Sequence, residues 1–190
     1  MASVVEICNR ALQKLGAKRI TSITEDSVNA RACNTAYNPL RLAELRSHPW
    51  ACATKRAQLA VSSDEPLFVK QYQYPLPSDY VRLLPNDEGY NLNSNDWQIE
   101  AGYIVTDDSD PLNIRYIYDL EDPNIMDALF REALSCRLAL ELCEELTQSN
   151  QKKESLRLDY KDAIREARRV NAILNVAGKP PEDEWITIRN

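Results

Sequence analysis

Catalysis needs a base, a nucleophile or a set of metal ligands at workable spacing, and this chain offers few of each. His48 is its single histidine, so multi-histidine metal sites are excluded. A Cys–His dyad built on it would need a partner cysteine and an orienting group that the sequence does not identify. Its neighbours Ser47, Pro49 and Trp50 describe instead a helix end packed under an indole. The five cysteines are Cys8, Cys33, Cys52, Cys136 and Cys143. They make no C-x-x-C pair and are odd in number, which suggests neither a disulfide framework nor a zinc site. Cys8 shares a helical face with Leu12 and Leu15, as a small buried hydrophobe would. Glu141, Glu144 and Glu145, with Asp127 and Glu132, crowd one later helix. Paired carboxylates can hydrolyse glycosides, yet nothing beside these raises a carboxyl pKa or supplies a sugar cleft. Gly16, Gly89, Gly102 and Gly178, the four glycines, form no phosphate-binding loop. The expectation is a protein with no catalytic residue, no metal and no cofactor.

Charge is patterned where catalysis is not. Winding residues 151–176 at about 100° per residue gives three sectors. Leu156, Tyr160, Ala163, Ile164, Ala167, Val170 and Leu174 make the apolar one. Lys153, Arg157, Lys161, Arg165 and Arg168 lie on one side of it, and Asp159, Asp162 and Glu166 on the other. Segregated like charges cost a few tenths of a kcal/mol per pair, roughly. Three readings follow. The sectors are a solvated face, or they meet between subunits in a heterologous contact that closes a ring, or the basic stripe tracks nucleic acid phosphates. The last fits poorly with a net charge of -6, which gives no bulk attraction to DNA or an anionic membrane. No apolar run nears the roughly 18 residues of a bilayer span. The opening MASVVEICNR lacks the apolar core of a secretory signal, so synthesis in the cytosol is expected.

The elements that would position these groups read as mainly α with a smaller β part. Ser3 and Glu6 form a capping box, Val4, Ile7, Cys8, Ala11, Leu12 and Leu15 repeat at helical spacing, and Gly16 ends the first helix. A second helix starts at Asp26 or Ser27 and turns Val28, Ala32, Ala36, Leu40 and Ala43 inward. Pro39 should kink or divide it, and His48-Pro49 ends it. Residues 51–61 read as a strand, 62–66 as a polar loop and 72–84 as an extended run broken by Pro75 and Pro77. After a turn-rich loop at 86–95, residues 97–105 and 112–118 read as the two strands of a hairpin turning at 107–111. Asp122 and Pro123 open a third helix to Thr147 that is apolar nearly all round and so belongs at the centre of a bundle. Gln148 to Asn150 turn the chain into the fourth helix. The expected layout is an antiparallel helical bundle from 1–50 and 119–178, a β-rich lobe from 51–118 inserted in it, and an extended C-terminal arm at 179–190.

The order of these pieces carries a resemblance. NRALQKLGA at 9–17, NARACNTAY at 29–37, HPW at 48–50, LPSDYVRLL at 76–84 and the terminal Trp185, Ile186 and Arg189 follow one another as in the tail tubular protein A family. These are the head-to-tail adaptor, or gatekeeper, proteins of short-tailed bacteriophages. No one motif is specific; the order and spacing carry the likeness, with the middle region 86–118 similar in kind rather than in letters. The resemblance implies a helical bundle with a β-rich lobe and a structural role in the virion. Copies would form a twelve-fold ring under the portal protein, with the tail nozzle (tail tubular protein B-like) protein beneath. DNA would pass through the lumen without specific binding, and no membrane is involved. Carried onto this chain, the bundle holds the ring through the charge sectors, and Trp185, Ile186, Ile188 and Arg189 form an arm docking on the portal or a neighbour. Apolar residues near a terminus are hard to bury within one chain, which favours an intermolecular pocket; the alternative is a tail folded onto its own bundle. Two other functional readings stand beside this one. One is a soluble helical interaction module or non-virion phage assembly factor; the other is a nucleic-acid-binding regulator.

Overall fold

The computed structural model describes residues 2–84, 97–108 and 111–174, and its fold is α+β, as expected. Helix α1 spans Val4–Leu15. The Ser3 hydroxyl accepts the Glu6 N–H at 3.1 Å, and Gly16, at φ 73°, lets the Ala17 N–H turn back onto the Leu12 carbonyl at 2.9 Å. Helix α2 spans Val28–Ser47 with Ser27 as its cap. It runs on through Pro39 without dividing, because Pro39 lies on the exposed side, where the carbonyl left without a ladder bond meets water.

The buried face of α2 differs from the expected one. Ala32 and Leu40 are buried and Ala36 half-buried, but Val28 and Ala43 face solvent. Ala30, Cys33, Tyr37, Arg41, Glu44 and Leu45 complete the inner stripe. Reading apolar periodicity alone discards Arg41 and Glu44, and the face then comes out rotated.

A 3-10 turn at Ala51–Ala53 leads into β1, Thr54–Leu59. The extended run becomes two strands, β2 (Tyr72–Pro75) and β3 (Tyr80–Leu83). The hairpin is corrected. Residues 97–105 are not one strand but two, β4 (Trp97–Glu100) and β5 (Tyr103–Thr106), turning at Ala101-Gly102. Both turn residues have positive φ, 46° and 87°, the two-residue geometry whose twist matches the strands it joins. The strand β6, Leu112–Tyr118, does not return along β5. It is the centre of a different sheet, antiparallel to β1 on one side and β3 on the other, with Thr54 opposite Ile117 and Leu83 opposite Tyr116. The second sheet has the order β2-β5-β4. The loop expected at 86–95 lies outside the described residues.

Helix α3, Ala128–Thr147, starts five residues later than expected. Asp127 is the cap, accepting from Leu129 (2.8 Å) and Phe130 (3.3 Å), while the Asp122 carboxylate folds a tight turn onto Asn124. Helix α4, Asn150–Leu174, follows a left-handed Gln148 (φ 51°). As its composition required, α3 is central: it packs on α1, α2 and α4. Lys152 at the start of α4 donates to the Leu15 carbonyl (2.5 Å), closing the bundle at one end.

Two cores result. The larger joins the helices to Val81, Leu84, Ile117 and Leu120. The smaller lies between the sheets and holds Leu59, Tyr74, Ile104, Leu112, Ile114 and Tyr116. The β1-β6-β3 sheet is therefore the middle layer, with helices on one face and the second sheet on the other. Cys8, Cys33, Cys136 and Cys143 are buried free thiols, and Cys52 is half-buried.

Candidate functional site

The charge sectors lie where winding put them, but they are not left unpaired. Arg165 reaches Asp162 at 2.8 Å, Arg169 grips both oxygens of Glu166 (2.7 and 3.1 Å), and Arg157 stands 4.0 Å from Glu154. Lys153 crosses to Glu144 on α3 at 2.6 Å, and Arg168 donates to the Ser47 hydroxyl at 3.3 Å. Arg165 and Arg169 reach across to the acidic sector and Glu154 lies within the basic stripe, so local pairing relieves part of the expected like-charge cost. Glu154 and Arg169 were missed because only the most regular residues of each sector were read. Lys161 has no ion-pair partner among the described residues. Leu158 lies on the solvent side of the helix, one turn from Glu154, Lys161 and Asp162, and is 55% exposed. Trp185, Ile186, Ile188 and Arg189 of the expected arm lie outside the described residues.

The carboxylates on α3 have structural work. Burial would raise the pKa of Glu132, but hydrogen bonds from Arg10 (3.1 Å) and Lys14 (2.8 Å) outweigh it and hold the carboxyl below its ordinary value. A proton donor needs the opposite shift. Asp127 is spent as a cap. Glu141 and Glu144 line an open cleft of about 540 Å³ between α3 and α4, beside Leu140, Lys153 and Arg157. The Lys153 ammonium lowers the pKa of Glu144. Among the described residues no group of three histidine, cysteine or acidic side chains is placed to hold a metal.

His48 belongs to a buried polar joint. Asn171, on the inner side of α4, accepts the Ala51 N–H at 2.8 Å and donates to the Pro49 carbonyl at 2.9 Å. That orientation leaves its N–H pointing at His48 Nε2, 3.0 Å away, so the ring nitrogen must be the acceptor and the imidazole neutral. Burial, then the positive charges of Arg168 and Arg82, lower its pKa in the same direction. The ring stands edge-on to Trp50 at 4.7 Å, as the sequence suggested. Nearby, Arg41 is buried in contact with Asp119 and the Leu120 carbonyl, and the Tyr160 hydroxyl donates to Glu44 at 2.6 Å. Burial, then that hydrogen bond, pushes the Tyr160 pKa up to about 12. This joint fixes α4 and the lobe onto α2.

The least expected feature is the loop between β1 and β2. Leu67, Phe68 and Val69 are 95%, 79% and 82% exposed. Val69 has φ 71°, and Lys70 N–H donates to the Phe68 carbonyl at 2.9 Å, a three-residue γ-turn that strains a β-branched residue. The Asp107 carboxylate holds the loop base, accepting from Lys70 Nζ and Gln71 N–H, each at 3.0 Å. An open cleft of about 490 Å³ lies against the loop, lined also by Gln73, Gln98, Glu100 and Tyr103 of the second sheet. Three consecutive apolar residues after Asp64-Glu65-Pro66 were the available signal, because such a run on a loop demands a cover.

No protein-family model matches the chain, and a search of curated proteins finds no significant match.

Proposed function

We propose that the chain is a structural head-to-tail adaptor of a short-tailed bacteriophage. In this reading twelve copies form a ring that joins the portal protein to the tail nozzle and extends the DNA channel. It is not an enzyme; it works by its surfaces. The observation that carries the reading is the presence, among the described residues, of two unlike uncovered patches on one chain. One is the charged outward side of α4 with Leu158, on the bundle. The other is the bare apolar loop on the β lobe. A heterologous ring needs two different patches per subunit, each the counterpart of the other. The helical bundle with its β lobe agrees with the architecture that the sequence resemblance implies. The acidic chain suits a conduit whose wall repels phosphate.

A second reading is a helical interaction module or assembly factor outside the virion, favoured by the local ion pairs that make the α4 surface at home in water. Titrating the chain onto the purified portal of the same phage separates the two, read as the mass of the complex. Saturation near twelve copies per portal supports the adaptor. A chain that stays free and monomeric rejects it and leaves the second reading.

A further inference from the structure

We propose that the acidic run Glu182, Asp183 and Glu184, beyond the end of α4, folds back on its own chain and docks on Arg46, Arg82 and Arg168. The inference stands apart from the adaptor reading and does not need it.

Three elements bring the arginines together. Arg46, in the last turn of α2, donates to the Val81 carbonyl at 2.6 Å. Arg82 of β3 crosses the other way to the Arg46 carbonyl at 2.9 Å. Arg168 of α4 reaches the hydroxyl of Ser47, the next residue of α2, at 3.3 Å. His48 feels the charge of both Arg82 and Arg168, so the guanidiniums surround one helix end. None of the three has a carboxylate partner among the described residues.

The acids of the surrounding elements are engaged elsewhere. Glu44 turns inward to Tyr160, Asp79 is held by Lys55 and Tyr116, and Asp119 by Arg41. On α4, Asp162 and Glu166 are held by Arg165 and Arg169. No acidic residue stands three or four positions from Arg46 or Arg168 within its helix. The C-terminal end of α2 supplies only about half a negative charge. The cluster is therefore a positive spot on a chain whose net charge is -6.

Charge and tether select the occupant. Glu182, Asp183 and Glu184 are the one run of three consecutive acids in the sequence, and Lys179 and Arg189 stand outside it. The run lies outside the described residues, the receptor inside them. Leu174 ends α4 about 9 Å beyond Arg168 along the helix axis. The eight residues from there to Glu182 span at most about 26–29 Å, enough to turn back and reach the cluster. Single exposed ion pairs are weak, but carboxylates on a short tether meet their partners at high effective concentration. A guanidinium fork also takes both oxygens of a carboxylate.

His48 is the single histidine, so one imidazole resonance in the whole chain reads the potential at the cluster. The test variant is Glu182→Gln with Asp183→Asn and Glu184→Gln, its folding checked by circular dichroism. Loss of the docked carboxylates is expected to lower the His48 pKa by about half a unit at low salt. The difference should shrink in about 1 M salt. An unchanged pKa overturns the clasp. So does the same shift given instead by Asp87→Asn with Glu88→Gln, which would make those acids the occupants. Arg168→Lys then shows whose tail is bound, because it keeps the charge and gives a carbodiimide an amine to couple to a touching carboxylate. An amide between position 168 and one of 182–184 inside the monomer is expected. An amide found only between two chains moves the tail to a neighbouring copy, and no amide at all removes it from the cluster; either result overturns the proposal.

Discussion

At the scale of single residues, the polar groups buried between α2, α4 and the lobe carry the most consequence. Asn171 makes three hydrogen bonds in one pocket. Asn171→Ala would leave the Ala51 N–H and the Pro49 carbonyl without their partner, and buried orphans of that kind cost about 1–3 kcal/mol each. Denaturant unfolding should show a loss of about 3 kcal/mol; a loss below about 1 kcal/mol would mean the joint is open to water. His48 gives the joint a pH dependence. Its folded pKa is below the ordinary 6.5, so below pH 6.5 the unfolded chain takes up a proton that the folded chain refuses. Stability therefore falls as the pH drops from 6.5 to the lower folded pKa, and the loss then levels off. His48→Gln, which cannot titrate, should flatten melting temperature against pH across that window. A slope that survives the substitution would place the proton elsewhere.

At the scale of elements, what could be read from the sequence divides by mechanism. Helix α1 was legible because a cap, a stop and an apolar stripe all pointed to the same boundaries, and α4 by its apolar stripe and the turn before it, its expected end lying outside the described residues. The central place of α3 followed from its all-round apolar surface, although its start did not, because Asp122-Pro123 and Asp127 are both plausible caps and only the fold chooses. The β lobe was misread at one joint. Ala-Gly is a weak version of the Asn-Gly turn signal, and without it residues 97–105 read as one strand and β6 took the wrong partner. That weakness is itself testable. Ala101 has φ 46°, a region that asparagine tolerates better than alanine, so Ala101→Asn should stabilise the lobe by about 0.5–1 kcal/mol. Chemical melting monitored at Trp97, the first residue of β4, would register it, and a destabilised variant would argue against the two-residue turn. The candidate contact surfaces were half legible. Periodicity found the charged sides of α4, but the apolar loop obeys no period, and partnered polar residues such as Arg41 and Glu44 are invisible to hydrophobic patterning.

At the scale of the molecule, the two cores share β6. Leu112, Ile114 and Tyr116 lie in the core between the sheets, whereas Ile117 from the same strand lies in the helical core. Neither core can lose β6 and survive, so bundle and lobe should unfold together. Calorimetry should give one transition whose calorimetric and van't Hoff enthalpies agree. Two separated transitions would show that the lobe melts alone.

The position of α3 in the chain also sets an order in time. Helices α1 and α2 bury their apolar sides chiefly against α3, which begins only at Ala128, and β1 waits for Leu112–Tyr118 before it has a neighbour. During synthesis the first half of the protein therefore leaves the ribosome with its sticky faces uncovered and holds them so until more than a hundred residues are made. Every nascent copy passes through an interval when these faces are open to other chains, and a product truncated before α3 never leaves it.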